Sequence, residues 1–200
     1  MGLDAIIEQC AINTHPETVK AIIRVESNGN PFAIGVNYGG GRAPRPQTQA
    51  EAAQIARNLI ESGKNIDMGL MQINSANMRR LGLTPETIFD SCTNIRAGTQ
   101  ILSINYANAV QIHGQTETAL KAALSTYNTG NMTRGLRNGY VARYYSNSQL
   151  TQATVASLGS VLSEPNNGGK DHNLNNESVV FVIQPPPNPY TADTLVYVRR

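Results

Sequence analysis

Long apolar runs are missing from this chain. None approaches the ~20 residues that cross a bilayer, so no ordinary transmembrane helix is expected. A dominant charge is missing too. Sixteen Lys and Arg against fourteen Asp and Glu leave a formal charge of +2, and no basic cluster stands out, so nothing argues for a nucleic-acid partner. The opening Met1-Gly2-Leu3-Asp4 lacks the basic and apolar regions of a secretory signal, as a mature or trimmed chain also would. Ile6 stands where N-myristoylation wants Ser or Thr. The glycines Gly39-Gly40-Gly41 are not followed by Gly-Lys-Ser/Thr, so they make no phosphate loop. No cofactor motif or metal-ligand cluster is visible; His15 has no ligand partners near it and reads as part of a turn. Cysteine is scarce: Cys10 and Cys92 fit either one disulfide or two buried thiols.

With 200 residues, 40% of them apolar, the chain is long enough for one domain with a core and a tail. Most of it has helical periodicity. Leu3, Ile6, Ile7 and Cys10 share a helix face, with Cys10 on the buried side. Thr14-His15-Pro16-Glu17 reads as a capping box with Thr14 at the cap, and Thr48-Gln49-Ala50-Glu51 as a second one. Phe32, Ile34, Val36 and Tyr38 alternate as a strand does. Ile95, Thr99, Leu102 and Tyr106 mark the longest, central helix, ending at His113-Gly114. A further helix ends at Gly130, and a last one begins near Tyr140 and fades by Leu158. From Gly159 the composition turns linker-like, apart from the apolar run Val179–Ile183. The expected domain is therefore residues 1–158, with a flexible or disordered tail over 159–200.

The stretch that draws attention is Val19 to Phe32. Val19, Ile22 and Ile23 form a buried stripe whose next position is Glu26, followed by the helix stoppers Ser27-Asn28-Gly29-Asn30-Pro31. A carboxyl group facing inward at the negative end of a helix is pushed toward its neutral form. That is the state a general acid requires. The plainer reading is a surface Glu ending an amphipathic helix. Two other stretches mix apolar side chains with carboxamides. In Gly69-Leu70-Met71-Gln72-Ile73-Asn74 the amides offer the donor–acceptor pairs that sugar hydroxyls need, or else face water on an edge strand. In Thr126-Tyr127-Asn128-Thr129-Gly130 the Tyr suits a sugar face, or is a packed Tyr beside an Asn turn.

Taken together and in this order, Glu26-Ser27, Gly69–Asn74 and Thr126–Gly130 resemble the soluble-type, goose-lysozyme-like lytic transglycosylases. The runs Asn30–Asn37, Ser91-Cys92 and Asn94-Ile95-Arg96-Ala97-Gly98 look most like the transglycosylase subunits of type IV secretion and conjugation machines. The resemblance covers residues 3 to 150.

It implies an α+β, predominantly α, lysozyme-like fold with a small β-hairpin beside a glycan cleft. Glu26 would be the catalytic acid, and Ser27 would orient the acid or the substrate. Met71, Gln72 and Asn74 would line sugar subsites, Tyr127 and Asn128 the opposite wall, and Tyr140 would help close the cleft. Asp67, the nearby candidate for a second carboxylate, reads as a hairpin residue. The implied reaction cleaves the MurNAc–GlcNAc bond of peptidoglycan with a 1,6-anhydromuramoyl product and no cofactor. The implied partners are glycan strands and, through the tail, other secretion subunits. The implied compartment is the periplasm, which favours a Cys10–Cys92 disulfide. A hydrolytic muramidase and a non-catalytic glycan-binding assembly module are the alternatives.

Overall fold

The computed structural model describes residues 2–37 and 44–146. The tail over 159–200 and its boundary at 158 lie outside the described residues, as do Tyr38 and the triple glycine. Eight α-helices and one small sheet make up the described part. They are α1 (Leu3–Cys10), α2 (Pro16–Ser27), α3 (Gln49–Glu61), α4 (Met78–Leu81), α5 (Ser91–His113), α6 (Glu117–Thr129), α7 (Arg134–Arg137) and α8 (Ala142–Ser146). A single 3-10 turn, Ser75–Asn77, leads into α4.

Helix α5 is the central element. Asp90 caps it by accepting from the Thr93 N–H at 2.8 Å, and Ile95, Thr99, Leu102 and Tyr106 are all buried. Its main neighbour is α6, and α1 packs on its other end. There Cys10 and Cys92 form a disulfide that closes a separation of 82 residues. Helix α2 starts one residue later than its capping box predicts. His15 takes the cap, its Nδ1 accepting from the Glu17 N–H at 3.2 Å, because the Thr14 hydroxyl instead donates to the Ile12 carbonyl. The second box forms as expected at its cap: Thr48 Oγ1 accepts from the Glu51 N–H, and the Glu51 carboxylate returns to the Gln47 N–H.

The sheet exceeds the expected hairpin by one strand. Antiparallel β1 (Ile34–Asn37), β2 (Asn65–Met68) and β3 (Ile73–Asn74) run in the order β1-β2-β3, with Ile34 opposite Met68 and Asp67 opposite Asn74. The third strand is two residues long. Such a strand is too short to show period-two alternation, and so the sequence pattern hides it.

Candidate active site

Two of the three stretches singled out by sequence, Gly69–Asn74 and Thr126–Gly130, meet directly, and the third, at Glu26, is reached by a tyrosine from the loop after α6. The turn between β2 and β3 is fixed from α5. Asn94, 1% exposed, accepts from the Met71 N–H at 2.8 Å and donates to the carbonyls of Met68 and Ile88 at 3.0 and 2.9 Å. One carboxamide thus satisfies three main-chain groups that would otherwise be buried without partners. Two glycines make this approach possible. Gly69 adopts φ +77°, and a Cβ there would collide with the Asn94 amide. A Cβ on Gly98, one helical turn beyond Asn94, would collide with the Met71 side chain. From α6, the Tyr127 hydroxyl donates to the Met71 carbonyl at 2.8 Å.

The loop after α6 carries the next contact. Ser125 Oγ accepts from the Gly135 N–H at 2.8 Å, and Gly135 sits too close to Ser125 to carry a side chain. The Val141 N–H returns to the Gly135 carbonyl at 3.1 Å. This closes a loop that directs Tyr140 inward. Tyr140 is 2% exposed, and its hydroxyl donates to Glu26 Oε1 at 2.5 Å. Tyr144, also buried, shares a hydrogen bond with the Tyr140 hydroxyl, and the two rings meet edge to face. Burial pushes the Tyr140 phenol well above the ordinary tyrosine range, and the facing Glu26 and Tyr144 add to the shift. Tyr140 therefore stays a neutral donor.

Glu26 lies in the last turn of α2 and is half-buried. The helix stops beside it because Asn28 takes a left-handed conformation, φ 53°. Ser27 is half-buried, and its hydroxyl donates back to the Ile23 carbonyl at 3.1 Å. Gln72, at φ 49°, donates from Nε2 to the carbonyls of Gly69 and Ala33, bracing the turn against the start of β1. Asn128 is buried at the end of α6.

Three residues expected to line sugar subsites are sealed inside. Met71, Asn74 and Tyr127 are each 0% exposed. Met71 packs against Gly98, and Tyr127 is a strut under the turn. Asn74 exchanges amide hydrogen bonds with Asn65 and donates to Asp67 Oδ1 at 2.8 Å. In this structure these three side chains are packed into the wall. Asp67 is 1% exposed, with Asn74 on Oδ1 and Asn37 on Oδ2 at 2.9 Å. Cross-strand amides hold both carboxylate oxygens, so Asp67 ties the sheet together.

Sequence reasoning missed Tyr144 and the anchoring Asn94. In the sequence Asn94 stands out only within the run that carries the resemblance, and its chemistry is visible only once the β2–β3 turn lies over it. Tyr144 follows Tyr140 by four residues, one helical turn, which is the signal that it shares a face. Among the described residues no group of three or more His, Cys, Asp and Glu is placed to hold a metal, and no helix is long and apolar enough to cross a membrane.

The family model for the Transglycosylase SLT domain matches residues 5–146, which include every contact above. The chain belongs to the SLT transglycosylase family. Its architecture is the mostly helical, lysozyme-like fold with a small antiparallel sheet, and its activity is that of a peptidoglycan lytic transglycosylase. This transglycosylase is 35% identical over 166 residues to the type IV secretion system protein virB1 of Brucella suis biovar 1, covering 80% of the chain and 69% of that protein. It is 38% identical over 140 residues to the protein virB1 of Rhizobium radiobacter, covering 70% of the chain and 58% of that protein. No solved structure matches it significantly.

Proposed function

We propose that this transglycosylase cleaves the MurNAc–GlcNAc β-1,4 linkage with Glu26 as its single acid and base, and opens the cell wall locally for a type IV secretion or conjugation machine. The observation that carries the mechanism is the pair of carboxyl environments. Glu26 is half-buried at a helix end with a neutral tyrosine hydroxyl on Oε1. Asp67, its nearest rival in the motif, has both oxygens committed to amides. Retaining and inverting glycosidases ordinarily use two carboxylates. With one, the substrate itself supplies the nucleophile.

The reaction then runs as follows. Glu26 gives its proton to the glycosidic oxygen, and the bond from the muramoyl anomeric carbon to that oxygen breaks. The substrate's 2-acetamido group supports the positive charge at that carbon. Glu26, now a carboxylate, takes the proton of the 6-hydroxyl as that oxygen bonds to the anomeric carbon. The product is a 1,6-anhydromuramoyl end, no water is consumed, and Glu26 returns to its acid form. Tyr140 holds one carboxyl oxygen through both steps, and Tyr144 holds Tyr140. Gln72 and Asn128 are the buried amides nearest the sugar in this reading, and Ser27 borders the acid.

The virB1 relatives support the place of action. Peptidoglycan lies outside the cytoplasm, so the enzyme works in the periplasm, where the Cys10–Cys92 disulfide persists. Other secretion subunits are the partners in this reading, engaged through residues 159–200. The test is mass spectrometry of muropeptides released from purified peptidoglycan by the wild type and by Glu26→Gln. Anhydromuramoyl ends from the wild type, with release cut at least about a hundredfold in the variant, are expected. Reducing ends would move the protein to hydrolysis. No product from either, with binding to sacculi retained, would make it a glycan-binding assembly module.

A further inference from the structure

Four cations follow one another without an acid between them. From Glu117 to Glu164 the sequence holds Lys121, Arg134, Arg137 and Arg143 and no Asp or Glu. Lys121 is paired with Glu117 at 2.7 Å. The three arginines are exposed and form no ion pair among the described residues. All three belong to the loop and short helices that deliver Tyr140 to Glu26. Arg134 and Arg137, three residues apart, bound α7. Arg143 sits over the Tyr140 ring, 5.9 Å from its centroid. The loop thus turns one tyrosine inward onto the acid and presents guanidinium groups outward. Three unneutralised like charges within ten residues repel one another, a cost recovered when an anion is present.

We infer that Arg134, Arg137 and Arg143 form a carboxylate-binding face for the stem peptides carried by the muramic acid residues of the glycan. This rests on peptidoglycan being the substrate. The β-1,4-linked sugar backbone is neutral there, because the lactyl carboxyl of each muramic residue is consumed in the amide to its peptide. The anionic groups near a scissile muramoyl bond are therefore the free carboxylates of the stems. Guanidinium groups pair with carboxylates in bidentate geometry. The face favours strands whose stem carboxylates are free over strands in which they are capped as amides.

The test is co-sedimentation of the full chain with sacculi in three forms: intact, with the stem carboxylates capped as amides by carbodiimide and an amine, and stripped of phosphodiester-linked polymers by acid. Wild type and the Arg134→Gln/Arg137→Gln double variant are compared at low and high salt. Wild type is expected to bind intact and polymer-stripped sacculi about fivefold more tightly than amide-capped ones, in line with a few exposed charge pairs. Salt should erase most of that preference. The double variant should lose it, and Arg134→Lys/Arg137→Lys should keep part of it. Equal binding of wild type to intact and amide-capped sacculi would overturn the inference. So would a preference that vanishes only with the phosphodiester polymers, which would make phosphate the ligand. Binding is read here without turnover, so the result stands apart from that of the product analysis.

Discussion

Tyr140 is the residue on which the acid's position depends. Its hydroxyl is the neutral donor on Glu26 Oε1. Tyr140→Phe removes that bond and leaves the ring and its packing on Tyr144. A hydrogen bond to a charged group is worth about 1.5–3 kcal/mol, so kcat should fall roughly tenfold to a hundredfold with KM little changed. Muropeptide release measured against substrate concentration checks this; an unchanged kcat would mean that Tyr140 is only packing. A pH titration reads the same hydroxyl. Tyr140 is raised well above the tyrosine range, and Tyr145 is pushed up to about 12 by burial and by Glu117. Unfolded tyrosines lose their protons near ~10. For a raised acid the neutral form is favoured in the folded state. Its contribution is therefore complete below ~10 and lost as pH rises through the folded value. Burial raises Tyr106 as well, so absorbance titration should show these three tyrosines ionising late, and stability should fall above about pH 10. Glu26 was legible in the sequence because a carboxylate interrupts an apolar stripe just before a run of helix stoppers. Tyr140 entered by resemblance alone, since it is distant in sequence and its pairing with the acid depends on the loop closed by Ser125 and Gly135.

At the scale of elements, the turn between β2 and β3 is secured by one amide on α5. Asn94→Leu keeps the volume and leaves the Met71 N–H and the carbonyls of Met68 and Ile88 without partners. A buried group stripped of its partner costs about 1–3 kcal/mol, so a total loss of about 4 kcal/mol is expected in urea unfolding, with activity falling as the turn loosens. An unchanged midpoint would show that water replaces the amide. Helices α1, α2, α3, α5 and α6 were legible from periodicity and end signals, because their stripes are long and their caps are chemically plain. Strand β3 and the cap of α2 were not. A two-residue strand has no period to read, and His15 outcompetes Thr14 only because the Thr14 hydroxyl finds the Ile12 carbonyl. Nor does the sequence tell that Met71, Asn74 and Tyr127 are sealed inside, because a side chain in a motif reads identically whether it meets a ligand or a buried main-chain group.

At the scale of the whole molecule, the disulfide ties α1 to the start of α5 across 82 residues of sequence. In the chain-entropy account, closing so long a loop stabilises by about 4 kcal/mol. Reduction should lower the urea midpoint accordingly while leaving the helical spectrum of the folded protein intact; no shift would mean that α1 adds little to the fold. Composition could not choose between a bridge and two thiols. The pairing emerges only when α1 packs on α5. In the proposed mechanism one carboxyl group serves as acid and then as base, and the sugar's own hydroxyl attacks. Digestion of peptidoglycan in water enriched with oxygen-18, read by mass spectrometry, tests this most directly. The account predicts anhydromuramoyl ends carrying no heavy oxygen from the wild type, and no such ends from Glu26→Gln. Heavy oxygen at the cleaved anomeric carbon, or unchanged product from the variant, would contradict it.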